Sequence, residues 1–222
     1  MDKRLLDDQT STQVKEILQN IQDNMEVILV KKNDEISEMA EKLYGEIAEL
    51  SEKISLKVYN ETQNEILEKF NLESDLLPAT VIMNSNVGDQ NIRFLGIPAG
   101  HEFGTFLQDL VAVSSKRNDL GDEATAKIAS IEKEMRIRVF ITPTCPHCPG
   151  AVFKGHQSAM INSKITAQMI DANNFHDLST KNGISSVPHT VIEVKENGNW
   201  EVKNEFVGDY PVESFVEELL KA

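Results

Sequence analysis

The chain has 222 residues, of which 26% are charged, and its formal net charge at pH 7 is −14. This acidic balance repels polyphosphate backbones, and the Lys and Arg residues form no basic stripe, which argues against binding to nucleic acid or to anionic membranes. No apolar run approaches the roughly 20 residues of a membrane span, and the N-terminal residues lack the apolar segment of a secretory signal. We therefore expect a soluble, cytoplasmic protein whose partners are proteins or small thiols.

An internal repeat organises the sequence. Three pairs of segments align in the same order at offsets of 112, 110 and 112 residues. They are MEVILVKKND (25–34) with IRVFITPTCP (137–146), LLPATVIM (76–83) with SVPHTVIE (186–193), and FLGIPAGHEFGTFLQDL (94–110) with FVGDYPVESFVEELL (206–220). Because a repeated order at a nearly constant offset is typical of duplicated units, the sequence predicts two homologous domains, 1–117 and 118–222.

The first unit is predicted to open with a helix over 11–23, where Thr10 begins a capping-box pattern. Apolar residues then predict a strand at VILV, a helix from Asp34 and a strand at ISLKVYN. After a break before Pro78, ATVIM and IRFLGI predict two further strands, and a helix over 101–115 ends the unit.

The second unit repeats this order after a polar joint, SSKRNDLGDEATAK, which is predicted to run into a linker helix through Met135. Its last two strands, TVIEV and WEVKNEFVG, are joined at Asn197-Gly198, a pair that suits a type I′ turn and antiparallel pairing. A helix between the first two strands of a unit indicates a parallel crossover. The predicted fold class is therefore α/β, with two tandem units that each carry a mixed central sheet flanked by helices.

Both cysteines of the chain lie in the segment FITPTCPHCPGAV, where a strand ends and a helix begins. A thiolate at a helix N-terminus faces unsatisfied backbone N–H groups at the positive end of the helix dipole, so its pKa falls. Pro146, expected near the first helical position, favours helix initiation, and a protonated or donating His147 would stabilise the Cys145 thiolate further. We therefore expect Cys145, the more accessible sulfur, to be the nucleophile and Cys148 to be the resolving thiol.

Two other interpretations of the cysteine pair remain open. The sulfurs could be buried, inert thiols, since free cysteine is commonly buried. They could also bind zinc, although no second pair of ligands has finger-like spacing. The two further ligands of a zinc site would have to come from His147, His156, His176 and His189. We expect no metal, because Cys-x-x-Cys in a reducing compartment with no second ligand pair favours thiol–disulfide chemistry.

The order of these motifs resembles a known family. A strand, CPHC and a helix, followed about 40 residues later by SSVPHTVI, resemble the thioredoxin fold, in which a cis-proline loop faces the active-site disulfide. Two such units with TPTCPHCP, PAGHEF and GDYP are similar to the glutaredoxin-like protein disulfide oxidoreductases of archaea and thermophilic bacteria. The resemblance implies two tandem thioredoxin folds, a redox-active disulfide between Cys145 and Cys148, and substrate binding by Thr144, Val187 and Pro188.

The resemblance also implies an activity, which is the exchange of disulfides with protein substrates. No cofactor would be bound, and reducing equivalents would come from an external NADPH-dependent flavoprotein similar to thioredoxin reductase, because the chain has no Gly-rich dinucleotide fingerprint. One active and one inert unit in tandem also resemble the N-terminal module of the flavoprotein component of alkyl hydroperoxide reductase, which relays electrons to a peroxiredoxin. A non-redox module that binds client peptides is the remaining alternative.

The first unit departs from the family because it has no dithiol. At the offset of 112 the two cysteines fall on Asn33 and Ile36, so the motif reads NDEI and the unit is predicted to be redox-inactive. Asn33 is expected to cap the helix, with Asp34 and Glu35 at the positive end of its dipole. Pro78 keeps the cis-proline position, either as a structural turn or as a peptide-docking edge.

A second departure concerns proton transfer. Thioredoxin-like proteins often place a buried carboxylate six residues before the first cysteine, where this chain has Val139. Another group must therefore assist the deprotonation of Cys148. Water, His147 and Asp171, which is expected at the end of the following strand, are the candidates.

Overall fold

The computed structural model describes residues 4–222, and within them the chain forms eight helices and eight strands. The helices are α1 (Asp8–Leu18), α2 (Glu35–Ala48), α3 (Asn64–Phe70), α4 (Glu102–Ser115), α5 (Asp122–Ala129), α6 (Cys148–Ile161), α7 (His176–Lys181) and α8 (Val212–Leu220). The strands are β1 (Met25–Lys31), β2 (Ile54–Asn60), β3 (Ala79–Asn84), β4 (Gly88–Leu95), β5 (Met135–Ile141), β6 (Ile165–Asp171), β7 (His189–Glu196) and β8 (Asn199–Val207). Among the described residues, no helix combines the length and the apolar character needed to cross a membrane.

The chain folds into two compact units. The first comprises the residues through Gln90 together with Phe94–Ile97 and Phe106–Arg117. The second comprises Asn118–Ala222 together with Asn91–Arg93 and Pro98–Thr105. The second unit therefore includes two short segments that come before position 118 in the sequence.

The two units share one connectivity. In the first, β1 pairs parallel with β2 and antiparallel with β3, and the strand order is β2-β1-β3-β4. In the second, β5 pairs parallel with β6 and antiparallel with β7, and the strand order is β6-β5-β7-β8. Helices α2 and α6 are the crossovers between the parallel strands. The predicted α/β class, with a mixed sheet and flanking helices in each unit, is confirmed.

Strand β5 lies at the centre of the second unit's core and contributes buried side chains to both faces of the sheet. All seven of its residues are buried, and successive side chains point to opposite faces of the sheet. On one face Ile137 and Val139 lie beside Gly155 of α6, where an added Cβ would be 3.5 and 3.6 Å from their methyl groups. On the other face Arg136 donates to the Glu193 carboxylate over 2.5 Å, so a charge that would be costly to bury alone is paired.

The β7–β8 hairpin has the turn that its sequence predicts. Glu196 pairs with Asn199, which leaves a two-residue loop. Asn197 and Gly198 have φ values of 51° and 85°, and a type I′ turn requires positive φ at both positions. This prediction is confirmed.

The N-terminal helix begins earlier than the sequence pattern indicates. Helix α1 spans Asp8–Leu18 rather than 11–23, and its N-cap is Asp7. The Asp7 carboxylate accepts a hydrogen bond of 2.7 Å from the amide of Thr10, which lowers the pKa of Asp7. Thr10 therefore lies inside the helix, because the carboxylate three residues earlier satisfies one of the first free amides.

One further boundary and two short helices differ from the prediction. The linker helix α5 ends at Ala129 rather than at Met135, because Met135 already belongs to the buried strand β5. Helices α3 and α7 lie in the breaks before the two prolines and were not predicted. They are seven and six residues long, which is too short for apolar periodicity to reveal them.

Aromatic clusters mark the cores of the two units. In the first, Phe106 contacts Tyr44 and Phe94, with ring centroids 5.0 and 5.4 Å apart. In the second, Phe206 contacts Tyr210 and Phe215 at 4.6 and 5.9 Å. Such offset and edge-to-face pairs add to the stability gained from burial.

Candidate functional site

Strand register brings the main site residues to one edge of the second unit's sheet. Ile141 pairs with Asp171 between the parallel strands β5 and β6. Phe140 pairs with His189 between β5 and β7, which places Pro188 opposite Ile141. The cysteine loop follows Ile141 directly, so this loop and the proline loop leave the sheet at the same edge.

The two cysteines form a disulfide. Their α-carbons lie 5.5 Å apart. Cys145 keeps 8% of its surface exposed and Cys148 none, so Cys145 is the more accessible sulfur. The amide of Cys145 donates to the carbonyl oxygen of Thr142 over 3.0 Å, which closes a turn around the first sulfur. The neighbouring predicted site residues are exposed, and they are Thr144, Pro146 and His147.

Helix α6 begins at Cys148, with His147 as its N-cap residue. Pro146, expected at or near the first helical position, lies two residues before it and outside the helix. Pro149 instead lies in the first turn, where the missing proline N–H costs no helical hydrogen bond. His147 makes no side-chain capping bond, and the first turn contains no Asp or Glu. The positive end of α6 is thus not neutralised by an acidic side chain of its own first turn.

The equivalent helix of the first unit is capped by a carboxylate. Its N-cap is Asp34 rather than Asn33, and the Asp34 side chain accepts from the amide of Ser37 over 2.8 Å. Glu35 and Glu38 add further negative charge to the first turn. A thiolate at this position would gain little from the helix dipole, because carboxylates already occupy its positive end.

The loop that precedes α2 is shorter than the loop that precedes α6. Residues 32–34 join β1 to α2, whereas 142–147 join β5 to α6, which is three residues more. The helix starts therefore correspond at an offset of 113, and Glu35 rather than Ile36 occupies the position of Cys148.

A segment before position 118 supports the cysteine loop. The amide of His101 donates to the carbonyl oxygen of Pro143 over 3.1 Å. Gly100 has a φ of 60°, and a Cβ added there would overlap with the backbone of Pro143. Gly100 and His101 both belong to the segment Pro98–Thr105, which is part of the second unit. The PAGHEF motif is visible in the sequence, but no local pattern in the sequence predicts its contact with Pro143.

Asp209 is a second residue that sequence reasoning missed. It lies in the GDYP segment after β8, and its carboxylate packs against Gly150 in the first turn of α6. The same carboxylate accepts from the ammonium group of Lys154 over 2.5 Å. In the sequence, GDYP indicates only a family resemblance, because no local pattern links this segment to α6.

The proline loop has the geometry expected from the resemblance. The Val187–Pro188 peptide bond is cis, Val187 is half-buried and Pro188 is buried. The Pro188 carbonyl accepts from the amide of Gly208 over 2.8 Å. The first unit repeats this arrangement, because Leu77–Pro78 is cis and the Pro78 carbonyl accepts from Gly96 over 2.8 Å.

Asp171 is the buried carboxyl group at this edge. It is 4% exposed, and burial raises its pKa, while hydrogen bonds from the amides of Asn173 and Asn174 act in the opposite direction. The Asn173 bond measures 3.0 Å. Val139 is buried, so the position six residues before Cys145 supplies no proton acceptor. The role of Asp171 in proton transfer to or from Cys148 stays a prediction.

The histidines considered as candidate zinc ligands lie in different parts of the second unit. His156 is buried within α6, and His189 is buried at the start of β7, 3.6 Å from the Glu205 carboxylate. His176 lies exposed beside Asp177. Within residues 4–222, no three His, Cys, Asp or Glu side chains cluster closely enough to hold a metal ion.

The second unit matches a recognised domain family. Residues 135–221 match the thioredoxin domain family. The chain is 26% identical over 188 residues to the alkyl hydroperoxide reductase AhpF of Staphylococcus aureus, and the match covers 84% of this chain and 34% of that protein. The chain thus spans about a third of the length of the curated relatives it matches.

Two solved structures share the fold over nearly the whole chain. One is the N-terminal domain of the alkyl hydroperoxide reductase AhpF from Enterococcus faecalis, with a TM-score of 0.84, 24% identity, and coverage of 96% of this chain and 99% of that one. The other is a protein disulfide oxidoreductase from Aeropyrum pernix, with a TM-score of 0.82, 25% identity, and coverage of 97% and 94%. The predicted resemblance and the tandem thioredoxin fold are confirmed.

Proposed function

We propose that this chain is a cytoplasmic thiol–disulfide oxidoreductase that exchanges disulfides with protein substrates. The observation that carries the proposal is the disulfide at the start of α6, in which Cys145 keeps 8% of its surface exposed and Cys148 none. A thiolate formed there faces the positive end of the helix. The likeness to the Aeropyrum pernix protein disulfide oxidoreductase supports the same chemistry.

The reaction consists of two thiol–disulfide exchanges. The Cys145 thiolate attacks one sulfur of a substrate disulfide, forms a mixed disulfide with it and releases the other substrate sulfur as a thiolate. The Cys148 thiolate then attacks the Cys145 sulfur, which releases the second substrate thiolate and closes the Cys145–Cys148 disulfide. Two electrons and two protons from an external NADPH-dependent flavoprotein restore the dithiol. Thr144, Val187 and Pro188 are proposed to hold the substrate chain next to Cys145.

The variant Cys148→Ser tests this order of events. Since the chain has two cysteines in all, the variant retains a single thiol, and it should accumulate a mixed disulfide with insulin, whose disulfides the Cys145 thiolate attacks. The matched variant Cys145→Ser should trap far less, because its remaining sulfur is buried. The proposal fails if neither variant forms a mixed disulfide and the wild type does not reduce insulin.

A second candidate function is electron relay to a peroxiredoxin. The match to the alkyl hydroperoxide reductase AhpF favours it, since that match covers 84% of this chain and so extends over both units. The two functions are separated by an assay that contains NADPH and a thioredoxin-reductase-like flavoprotein, with either insulin or a peroxiredoxin as the electron acceptor. The acceptor that is reduced faster indicates the function.

The client-binding alternative predicts instead that a double Cys145→Ser, Cys148→Ser variant binds unfolded peptides as well as the wild type does.

A further inference from the structure

The start of α6 is contacted by Asp209, which forms an ion pair with Lys154 in the second turn of the same helix. The Asp209 carboxylate lies in the loop between β8 and α8, and it accepts from Lys154 of α6 over 2.5 Å. The Lys154 side chain is 12% exposed and the Asp209 side chain 31%. Part of each side chain is covered, so the charges are screened less than those of a fully exposed pair.

Gly150 allows this close approach. It is the third residue of α6 and lies two positions after Cys148. A Cβ at position 150 would overlap with the carboxylate of Asp209. A side chain of any size would push the carboxylate away, so the absence of one lets Asp209 lie directly on the first turn of the helix that carries Cys148.

The same loop also reaches the proline segment. The amide of Gly208, the residue before Asp209, donates to the carbonyl oxygen of Pro188 over 2.8 Å. One short loop thus contacts both the helix that carries the resolving cysteine and the segment proposed to bind substrate.

The charges of this pair act on the dithiol in opposite directions. A negative group near a helix N-terminus competes with a thiolate for the positive end of the dipole and disfavours the thiolate. A cation at the same place favours it. Because the first turn of α6 has no acidic residue of its own, Asp209 supplies the negative side-chain charge there, and Lys154 supplies the positive charge paired with it.

We propose that Asp209 and Lys154 are positioning residues that set the redox equilibrium of the Cys145–Cys148 dithiol through the charge balance at the start of α6. This inference rests on the proposed function. With both charges present the net effect on the thiolate is small. Removal of the carboxylate leaves Lys154 to stabilise the thiolate, which makes the disulfide more oxidising, whereas removal of the ammonium leaves Asp209 to do the reverse.

The test uses the full chain and four variants, namely Asp209→Asn, Lys154→Met, the double variant and the control Lys203→Met. Lys203 pairs with Glu196 near the hairpin turn, at the opposite end of the strands from the cysteine loop. Each protein is equilibrated with glutathione and its disulfide at several ratios, and the fraction of oxidised dithiol is measured after alkylation. The pH dependence of Cys145 alkylation is recorded in parallel.

We expect Asp209→Asn to shift the equilibrium constant about threefold towards the reduced dithiol, and Lys154→Met about threefold the other way. Threefold corresponds to about 14 mV for a two-electron couple. The pH at which Cys145 becomes reactive should fall in the first variant and rise in the second. The double variant should return close to the wild type, and Lys203→Met should not differ from it.

The inference is overturned if both single variants shift the equilibrium constant in the same direction, or if the double variant does not return towards the wild-type value. Loosening of the helix start alone would produce either pattern. No shift in either variant overturns it as well. A wild type that does not exchange with glutathione at all overturns the proposed function, and that result is distinct from the others. Gly150→Ala, which displaces the carboxylate without changing any charge, should shift the equilibrium in the direction of Asp209→Asn.

Discussion

The amide of His101 donates a hydrogen bond of 3.1 Å to the carbonyl oxygen of Pro143, two residues before Cys145. Gly100 lies against the same proline with a φ of 60°. The loop that carries the first sulfur is thus held by a segment about forty positions away in the sequence. Its geometry therefore depends on Pro98–Thr105 as well as on the CPHC motif itself.

Gly100→Ala should disturb this support. An L side chain in the left-handed region costs about 1–2 kcal/mol, and the added Cβ overlaps with Pro143 as well. We expect the free energy of unfolding to fall by at least this amount and the rate of insulin reduction to fall with it. Urea unfolding and an insulin turbidity assay measure the two effects.

Gly104→Ala is the matched control. Gly104 lies in α4 with nothing within 4 Å of an added Cβ, and alanine favours a helix by about 0.5–1 kcal/mol over glycine. This variant should be as stable as the wild type or more stable, with normal activity. Equal losses in both variants would contradict the role given to Gly100.

Two equivalent threonines should respond differently to the same change. Thr80 and Thr190 each follow the cis-proline of their unit by two positions and are fully buried. The hydroxyl of Thr80 donates to the phenol oxygen of Tyr44 over 3.0 Å, whereas the Thr190 hydroxyl has no hydrogen-bond partner within residues 4–222. Thr80→Val should cost about 1–3 kcal/mol because it leaves a buried phenol without this donor.

Thr190→Val should be neutral or stabilising, because it replaces a buried unpaired hydroxyl by a methyl group of similar size. Urea titrations of the two variants give the comparison. A larger loss from Thr190→Val than from Thr80→Val would show that these hydrogen bonds do not govern stability at the two positions.

Asp171 should make the stability of the protein depend on pH. Burial raises its pKa in the folded state, so its neutral form is favoured there. The contribution of Asp171 is therefore most favourable at acidic pH and is lost as the pH rises from the ordinary value of about 3.9 through the raised folded pKa. Asp171→Asn stays neutral and can still accept from Asn173, so it should raise Tm at pH 7 by roughly 1–4 °C.

The gain should vanish below about pH 3.9, where the wild-type carboxyl is protonated in both states. Thermal unfolding at pH 3.5 and pH 7 checks this, and a lower Tm of the variant at pH 7 would mean that the hydrogen bonds outweigh burial.

The variant Asp171→Asn also tests the predicted proton transfer. If Asp171 assists Cys148, the closing of the disulfide slows while alkylation of Cys145 is unchanged.

Asp34→Ala should destabilise the first unit without affecting redox activity. The change removes the side chain that accepts from Ser37 over 2.8 Å, and loss of such a cap costs about 1 kcal/mol. Asp34→Asn keeps an accepting oxygen and should recover most of the loss. Insulin reduction should be unchanged in both variants, and a reduced rate at full folding would contradict the prediction that this unit is redox-inactive.

The features that could be predicted from the sequence are those that local patterns determine. Asn197-Gly198 defines its turn without help from the rest of the chain, and the order of strands and helices follows from apolar runs. The start of α6 is harder to predict, because Pro146 and Pro149 both suit the beginning of a helix and only the folded loop selects between them. Asn33 and Asp34 presented the same ambiguity as caps, since both side chains can accept from a helix amide.

The contacts that support the site could not be predicted in this way. Asp209 reaches Gly150, and Gly100 reaches Pro143, across separations that no periodicity records. Both depend on a glycine whose missing side chain makes room for a neighbour. From the sequence alone such a glycine cannot be distinguished from one like Gly104, which has open space around it.

The short connection between β1 and α2 limits what a pair of cysteines could do in the first unit. Two cysteines placed there would not reproduce the arrangement at α6, because residues 32–34 are three positions fewer than the loop that carries Cys145, and Asp34 and Glu35 would still occupy the helix start. A dithiol like that of the second unit would need a longer connection and the removal of both acids together.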